Sequence, residues 1–262
     1  MENKVEFDGV RAKLYEKAMS EYPLSRVMDI ETMYKYLNPK INNKILGIGE
    51  GNGYFCNSIA SSIGANGIYF ITDPSKDQLI NIKKKLNYPQ IKIEVMGADE
   101  LDVPKNFFDK VWSFGAFHHC KNKIAAMKNV FRALKPGGIA VICDVFFGSK
   151  LANHFDIQVA KYCITGHDVE FMTDESAKKL CADAGFILKN IIIKNLPQKW
   201  IFNSEYELGD FIYKLHAMTK IHGKEDDKIK EVIRGCKEIL GVEKVGNHYE
   251  LNWPMKVLIA KK

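Results

Sequence analysis

The chain has 262 residues, of which 46% are hydrophobic and 27% charged, an ordinary balance for a globular protein. Its net charge of +6 is mild and spread along the sequence, which argues against a nucleic-acid partner. No apolar run reaches the roughly 18 residues of a membrane span. The charged N-terminus is unlike a signal peptide, and the six scattered cysteines are typical of reduced thiols. We therefore predict a cytoplasmic protein without a membrane span.

Strand and helix patterns alternate from residue 44 to about residue 195, which predicts a doubly wound α/β fold, a parallel sheet with helices on both faces. Apolar residues at helical spacing support the helices, for example Phe55, Ile59 and Ile63 after the first strand. The predicted strands cover residues 44–48, 68–72, 91–95, 111–114 and 139–145, a sixth begins at Phe186, and a last strand begins at Met255.

Three segments fall outside this alternation and predict the domain organisation. Residues 1–43 are expected to form an N-terminal helical cap on a domain covering residues 44–262. Within that domain, residues 147–172 and 196–247 are predicted to be lid insertions, because long connections in α/β proteins often cover the carboxyl ends of the strands. Ser204 and Glu207 have the spacing of a capping box, which predicts a helix in the second insertion.

Glycine recurs at every second position from Gly47 to Gly53, directly after the first predicted strand. Such a run buries few side chains, so it predicts a sharp turn into a helix with backbone bare enough to contact a ligand. Asp73 ends the next strand, where a carboxylate can bind ribose hydroxyls. The dinucleotide pattern G-x-G-x-x-G is not met, because its third glycine would fall at Asn52 or Tyr54.

The G-x-G-x-G spacing resembles motif I of the class I methyltransferases that use S-adenosylmethionine. Asp73, FFDKVWSFGAFHH at 107–119 and RALKPGG at 132–138 follow in the order typical of that family, so the resemblance covers roughly residues 10–195. The branch it resembles methylates small molecules, as the ubiquinone/menaquinone-biosynthesis and sugar O-methyltransferases do. The resemblance implies a Rossmann-like sheet of seven strands with an antiparallel edge strand. It also implies S-adenosylmethionine as cofactor, and these cofactor-binding residues: Gly47, Gly49, Gly51, Gly53, Asp73, Pro74, Ala98, Asp99 and Ser113.

Some of these assignments have structural alternatives. Asp73 before Pro74 could serve only as a helix N-cap. The family usually has an acidic residue where this chain has Gly47, and that acid helps to hold the cofactor's amino group. Its replacement implies weaker binding, a substitute such as Glu50, or an altered role. Asp99 aligns with the family's adenine-binding acid only if a one-residue gap is allowed.

His118 and Asp144 follow neighbouring predicted strands, so their side chains should meet at one rim of the sheet. A carboxylate there can orient an imidazole and raise its basicity. By resemblance to the sugar O-methyltransferases, His118 is the general base for an acceptor hydroxyl, Asp144 orients it, and His119 lies behind it. A histidine pair in a loop can also be purely structural.

The predicted activity is methyl transfer from S-adenosylmethionine to a small, partly apolar molecule, most simply at a hydroxyl oxygen. N- or C-methylation on the same scaffold, or a catalytically silent protein that binds the cofactor, stay open as alternatives. No metal site is predicted: His167 and Asp168 are interpreted as a hydrogen-bonded turn on a lid.

Overall fold

The computed structural model describes residues 5–85 and 88–262, and its centre is one mixed sheet. Its strands are β1 Lys44–Ile48, β2 Ile68–Asp73, β3 Ile91–Val95, β4 Phe108–Phe114, β5 Leu134–Asp144, β6 Ile191–Phe202, β7 Val242–Val245 and β8 His248–Lys261. Along the sheet they lie in the order β3-β2-β1-β4-β5-β8-β6, and β7 pairs with β8. The first five strands are parallel, whereas β8 runs antiparallel to both β5 and β6.

This architecture confirms the predicted doubly wound α/β class with antiparallel pairing towards one edge. Two details differ from the prediction. The described sheet has eight strands rather than seven, because β7 and β8 form a hairpin closed at Val245 and His248. The last strand, β8, is antiparallel as expected, but it lies between β5 and β6. The strand order therefore ends at β6 rather than at β8.

The helices cover both faces of the sheet. They are α1 Val10–Glu21, α2 Val27–Tyr36, α3 Cys56–Ile63, α4 Lys76–Lys85, α5 Lys123–Ala133, α6 Lys150–His154, α7 Ala160–Tyr162, α8 Asp174–Ala184, α9 Glu205–Leu215 and α10 Glu225–Gly235. A π-helical turn, Phe155–Val159, joins α6 to α7. Within the described ranges, no helix is both long and apolar enough to cross a membrane.

Alternating side chains of the strands supply two separate apolar cores, as the two-residue period of a strand requires. On β1, Ile45 belongs to the core beneath α3 and the cap helices, whereas Leu46 belongs to the core beneath α5 and α8. On β4, Trp112 and Val111 divide between the same two cores. Burial on both faces explains why these strands are almost continuously apolar.

Helix ends follow the sequence signals closely. The Thr173 side chain caps α8, and Gly185 ends it in the left-handed conformation, at φ 113°. The Ser204 hydroxyl accepts a hydrogen bond from the Glu207 amide at the start of α9. Leu86, expected on the buried face of α4, lies outside the described residues, as do residues 1–4 of the predicted cap segment.

The predicted sixth strand is shifted. A short 3-10 turn covers Leu188–Asn190, and β6 begins at Ile191 and continues to Phe202. Its outer half pairs with β8 beyond the rim of the parallel sheet, where Trp200 lies opposite Leu251. The long connection therefore starts after Phe202 rather than at residue 196, and it contains α9, α10 and β7.

Candidate active site

The loop after β1 lies at the point where the strand order reverses, between β1 and β4, the usual ligand site of open α/β sheets. Gly49 has φ 66°, and a Cβ atom there would lie 2.4 Å from the Ala116 Cβ. The glycine loop is therefore packed directly against the loop after β4, which carries His118. The Gly51 amide donates a hydrogen bond of 2.9 Å to the Asp73 Oδ2, which ties the same loop to the end of β2.

Glu50 occupies the space that a side chain at residue 47 would need. A Cβ atom on Gly47 would lie 2.5 Å from the Glu50 Oε1 and 2.8 Å from the Tyr69 hydroxyl. The Glu50 carboxyl is buried, and its Oε2 has no hydrogen-bond partner among the described residues. Burial raises the pKa of Glu50 to about 8, a shift opposed by a hydrogen bond from Tyr69 and increased by Asp73. This chain therefore places a carboxyl beside Gly47 from a neighbouring residue.

Asp73 lies at the end of β2 with its carboxylate held by two backbone amides, Gly51 at 2.9 Å and Ser75 at 2.8 Å. Burial raises its pKa to about 6 despite these two hydrogen bonds. The predicted N-cap role of Asp73 is wrong, because α4 begins at Lys76 and the Ser75 hydroxyl accepts from the Gln78 amide at 3.2 Å. Pro74 is exposed between them. With the capping role assigned to Ser75, a ligand-binding role for Asp73 becomes the simpler interpretation.

The remaining predicted cofactor residues follow β3 and end β4. Ala98 and Asp99 form a short turn whose two carbonyls accept hydrogen bonds from the Asn129 side chain at 3.3 and 3.0 Å. The Asp99 carboxylate accepts from the Asn122 amide at 3.3 Å, so this turn lies against the loop after β4. Ser113 is fully buried in β4. Its hydroxyl has no hydrogen-bond partner within the described part of the chain.

His118 and Asp144 meet as predicted. The His118 Nδ1 lies 2.5 Å from the Asp144 Oδ1, and the His118 backbone amide donates to the other carboxylate oxygen at 2.8 Å. The Val145 amide also donates to Asp144, at 2.8 Å. Both side chains are buried, and the other ring nitrogen of His118, Nε2, has no hydrogen-bond partner among the described residues. The carboxylate therefore fixes the orientation of the ring and leaves Nε2 free.

A cavity lies beside this pair and is lined by both apolar and cationic groups. Its wall includes His118, His119 and Gly115 from the loop after β4, and Trp200 and Trp253 from β6 and β8. The segments outside the sheet add Phe7, Arg11, Tyr15, Arg26, Phe155, Leu215 and His216. Four of the seven histidines have their rings within 6.0 Å of the Phe155 ring. Phe155 opens the π-helical turn, a distortion that is frequent at functional sites.

Arg26 and Asp29 form a buried ion pair at the cavity wall that the sequence alone did not indicate. The Arg26 Nε lies 2.6 Å from the Asp29 Oδ2. The other Asp29 oxygen accepts from Gln198 at 3.1 Å and from the Trp200 indole at 3.2 Å, both on β6. Burial raises the pKa of Asp29, opposed by Arg26. These contacts fix α2 against the outer half of β6 and so shape the cavity.

His167 does not form the turn expected from its sequence context. Its ring is buried, with centroids 5.6 Å from His118 and 5.3 Å from His119. Neither of its nitrogens has a hydrogen-bond partner in the described chain. Burial lowers the pKa of His167 to about 3 and that of His119 to about 4. Both imidazoles are therefore neutral at physiological pH. His119 is next to His118 in the sequence, whereas long-range folding brings His167 to them.

Comparisons with known proteins agree with this geometry. Residues 46–142 match a family described as a methyltransferase domain. The ubiquinone/menaquinone biosynthesis C-methyltransferase UbiE of Neisseria meningitidis serogroup A is 26% identical over 166 residues, covering 56% of this chain and 68% of that protein. The phosphoethanolamine N-methyltransferase 2 of Haemonchus contortus in complex with S-adenosyl-L-methionine has a TM-score of 0.65 at 18% identity, covering 96% of this chain and 56% of that one. The YcgJ protein of Bacillus subtilis has a TM-score of 0.60 at 15% identity, covering 91% and 98%.

The sheet order, the glycine loop and the structural neighbours define a Rossmann-like α/β fold. Together with the domain match and the UbiE relatives, they make this chain a class I S-adenosylmethionine-dependent methyltransferase that resembles the ubiquinone/menaquinone-biosynthesis enzymes. The class and the fold implied by the sequence are thereby confirmed.

Proposed function

We propose that the protein transfers the methyl group of S-adenosylmethionine to a hydroxyl oxygen of a small, partly apolar acceptor, with His118 as general base. The observation that carries the proposal is the buried His118–Asp144 pair: His118 lines a cavity, and its Nε2 has no partner among the described residues. Ala116, on the loop that carries His118, packs directly against Gly49 of the glycine loop. The proposed base and the proposed donor site therefore lie at the same rim of the sheet.

The residues around the glycine loop fit the proposed cofactor. The bare backbone of Gly47, Gly49, Gly51 and Gly53 allows close approach of a ligand. Glu50 would bind the α-ammonium group in place of the acid usual at residue 47, and its unpartnered buried oxygen supports that role. Asp73, next to Pro74, would accept from the ribose hydroxyls. The turn at Ala98 and Asp99, together with Ser113, would meet the adenine end.

The cofactor supplies an electrophilic methyl group on a sulfonium sulfur. The chain's own residues then have two tasks. The first is to hold the acceptor in line with that methyl group, and such positioning can supply about 7–11 kcal/mol of the barrier reduction. The second is to remove the acceptor's proton: the free nitrogen of His118 takes it, while Asp144 stabilises the imidazolium that forms. General-base catalysis of this kind contributes about 10²–10⁴-fold.

The cap segments support a closed, partly apolar acceptor site. The Ser75 hydroxyl donates to the Phe7 carbonyl at 3.0 Å, and the Gly9 amide donates to the Asp77 carboxylate at 2.8 Å, so the N-terminal segment crosses the start of α4. The Tyr22 hydroxyl donates to Asp210 at 2.6 Å, which joins α1's end to α9. We infer that one cap covers the site, formed by residues 5–43, residues 147–172 and the connection after Phe202. Water must leave the covered site before methyl transfer.

Methylation at carbon is the second candidate function. It is favoured by the relatives, which are named C-methyltransferases. The same base could serve it, because removing a proton from a phenol or an enol makes the adjacent carbon nucleophilic. A neutral amine needs no such base, so the His118–Asp144 pair favours oxygen or acidic carbon over nitrogen as acceptor atom.

Radiolabelled methyl transfer from S-adenosylmethionine to a panel of phenols, hydroquinones and alcohols tests the proposal. With an accepted substrate, His118→Ala should lower kcat by about 10²–10⁴-fold. Its affinity for S-adenosylhomocysteine should stay unchanged, which separates loss of the base from loss of the donor site. NMR of the product distinguishes an O-methyl from a C-methyl group. An unchanged kcat in His118→Ala would refute the base, and tight donor binding without turnover on any acceptor would favour a silent protein.

A further inference from the structure

Three histidines from two distant segments of the chain converge beside the cavity. His118 and His119 come from the loop after β4, and His167 comes from the segment between α7 and α8. Each offers one ring nitrogen, and the three atoms lie within 4.8 Å of one another. The ring centroids of His118 and His119 are 4.1 Å apart. We propose that these three imidazoles form a binding site for a divalent transition-metal ion such as Zn²⁺.

The hydrogen bonding of the cluster supports a metal site. Within the described residues, no hydrogen bond reaches the His118 Nε2 or either His167 nitrogen, although both rings are buried, and the His119 Nδ1 has the Glu6 carboxylate beside it. Buried polar atoms are normally hydrogen-bonded, so several unsatisfied ring nitrogens in one place call for a ligand. Around an ion with Zn–N bonds of about 2.0–2.1 Å, tetrahedral nitrogens lie about 3.4 Å apart, so the rings need to close by roughly 1 Å.

Asp144 and Glu6 place carboxylates beside the histidines, as many metal sites do. Metal-binding histidines usually donate their second ring N–H to a carboxylate, which fixes the ring and raises its basicity. The 2.5 Å contact between the His118 Nδ1 and Asp144 provides this arrangement with Nε2 left for the ion. Glu6 lies close on the other side, with its Oε2 3.0 Å from the His119 Nδ1. At this place the Glu6 carboxylate can bind the ion as a further oxygen ligand or balance its charge.

The ligand chemistry selects the class of ion. Imidazole nitrogens suit zinc, copper, iron and nickel, whereas magnesium and calcium prefer oxygen ligands. Three protein nitrogens leave at least one coordination position open, as in catalytic rather than structural zinc sites. That position faces the cavity, because His118 and His119 both line it.

A bound ion would switch off proton transfer by His118. Its Nε2 cannot accept a proton while it coordinates metal, so acceptor deprotonation should stop although the donor site stays intact. This consequence rests on the proposed function, whereas the ion site itself does not. Zinc is therefore expected to inhibit methyl transfer without weakening S-adenosylhomocysteine binding, and a chelator should restore the rate.

Calorimetric titration of the metal-free full chain with Zn²⁺, and the visible ligand-field absorption of bound Co²⁺, test the site without any turnover. We expect one ion per chain. His167→Asn should weaken metal binding by about 100-fold or more, since even removing a hydrogen-bond partner of a metal-binding histidine costs about 10–100-fold in affinity. His222→Asn is the matched control, because His222 is exposed and is not part of the cluster, and it should bind like the wild type. Circular dichroism checks that both variants are folded.

The outcomes separate the two proposals. One saturable ion lost in His167→Asn supports the metal site even if no methyl acceptor is ever found. If wild-type protein shows no saturable Zn²⁺ or Co²⁺ binding, the site does not exist, whatever the behaviour of the variants. Equal binding by wild type and folded His167→Asn also overturns it, since the ion would then lie elsewhere. Methyl transfer that depends on His118 can survive either of these negative results.

Discussion

Glu50→Gln is the substitution that most sharply tests how this chain holds its cofactor. In the free protein, burial keeps the pKa of Glu50 at about 8, so its carboxyl is mostly protonated at neutral pH. An α-ammonium group bound beside it favours the carboxylate, so binding should release a proton. Glutamine keeps the size of the side chain and removes that proton, which isolates the electrostatic contribution.

The raised pKa of Glu50 fixes the expected size of the effect. With a pKa of about 8, ionising Glu50 at pH 7 costs about 1.4 kcal/mol, and each unit below that pH adds the same amount. Wild-type affinity for S-adenosylhomocysteine should therefore rise close to tenfold between pH 6 and pH 7.

Calorimetry in two buffers of different ionisation enthalpy measures both the affinity and the number of protons released. At pH 6.5 wild type should release nearly one proton from Glu50 on binding, and Glu50→Gln should release close to none from this position. Asp73, with a pKa of about 6, adds a smaller uptake or release that is common to both proteins. Equal pH slopes for wild type and Glu50→Gln would refute the assignment of Glu50 to the ammonium group.

The same carboxyl has a stability signature of predictable sign. Its folded-state pKa is raised from 4.5 to about 8, so the folded protein keeps a proton that the unfolded chain loses in this window. Stability should therefore fall as pH rises from about 5 to 8, by up to about 1.4 kcal/mol per pH unit from this group. Urea unfolding of Glu50→Gln should lack this contribution.

A relocation experiment controls for loss of packing. Gly47→Asp alone should abolish donor binding, because its Cβ would lie 2.5 Å from Glu50 and 2.8 Å from the Tyr69 hydroxyl. Adding Glu50→Ala and Tyr69→Phe removes both obstructing groups and should recover binding. Recovery would identify a carboxylate at this place as the requirement; binding as weak in the triple variant as in Gly47→Asp would contradict it.

Three further substitutions test the frame of the site. Gly49→Ala should destabilise the protein by about 2–5 kcal/mol in urea unfolding and abolish donor binding. The reason is that φ at this residue is 66° and the new Cβ would lie 2.4 Å from the Ala116 Cβ. Wild-type stability of this variant would contradict the close packing of the two loops. Asp29→Ala leaves the buried Arg26 unpaired and should cost about 3–5 kcal/mol, measured the same way. His154 is fully buried with a pKa lowered to about 3, so below pH 6.5 the unfolded chain takes up a proton that the folded protein does not, and stability falls. His154→Gln should flatten the loss of stability between pH 6.5 and 5 by up to about 1.4 kcal/mol per pH unit, and an unchanged slope would place His154 in contact with solvent.

Local signals predicted much of the fold because they act over a few residues. The cap at Ser204, the end of α8 at Gly185 and the buried stripe of α3 all follow from short-range hydrogen bonding and helical spacing. Since parallel strands end at one rim, the meeting of His118 and Asp144 could also be predicted from strand order.

Features that depend on long-range packing were not predictable in the same way. His167 reaches His118 only because the segment after α7 folds back over the cavity, and nothing in its local sequence indicates that path. The role of Ser75 in capping α4, in place of Asp73, depends on how Gly51 draws the Asp73 carboxylate towards the glycine loop. Only the path of the loop in the structure shows that Glu50 fills the space beside Gly47. The sequence did point to Glu50 as a substitute, because the usual acid is replaced by Gly47.

The central claim is that the glycine loop and Asp73 hold an S-adenosyl donor whose reactive end points towards His118. A crystal structure of the full chain grown with S-adenosylhomocysteine tests it most directly. We predict ribose hydroxyls within about 3 Å of the Asp73 carboxylate, the amino group at a similar distance from Glu50, and the sulfur facing the His118 cavity. An empty glycine loop at saturating ligand, or the ligand bound away from Asp73, would contradict the account.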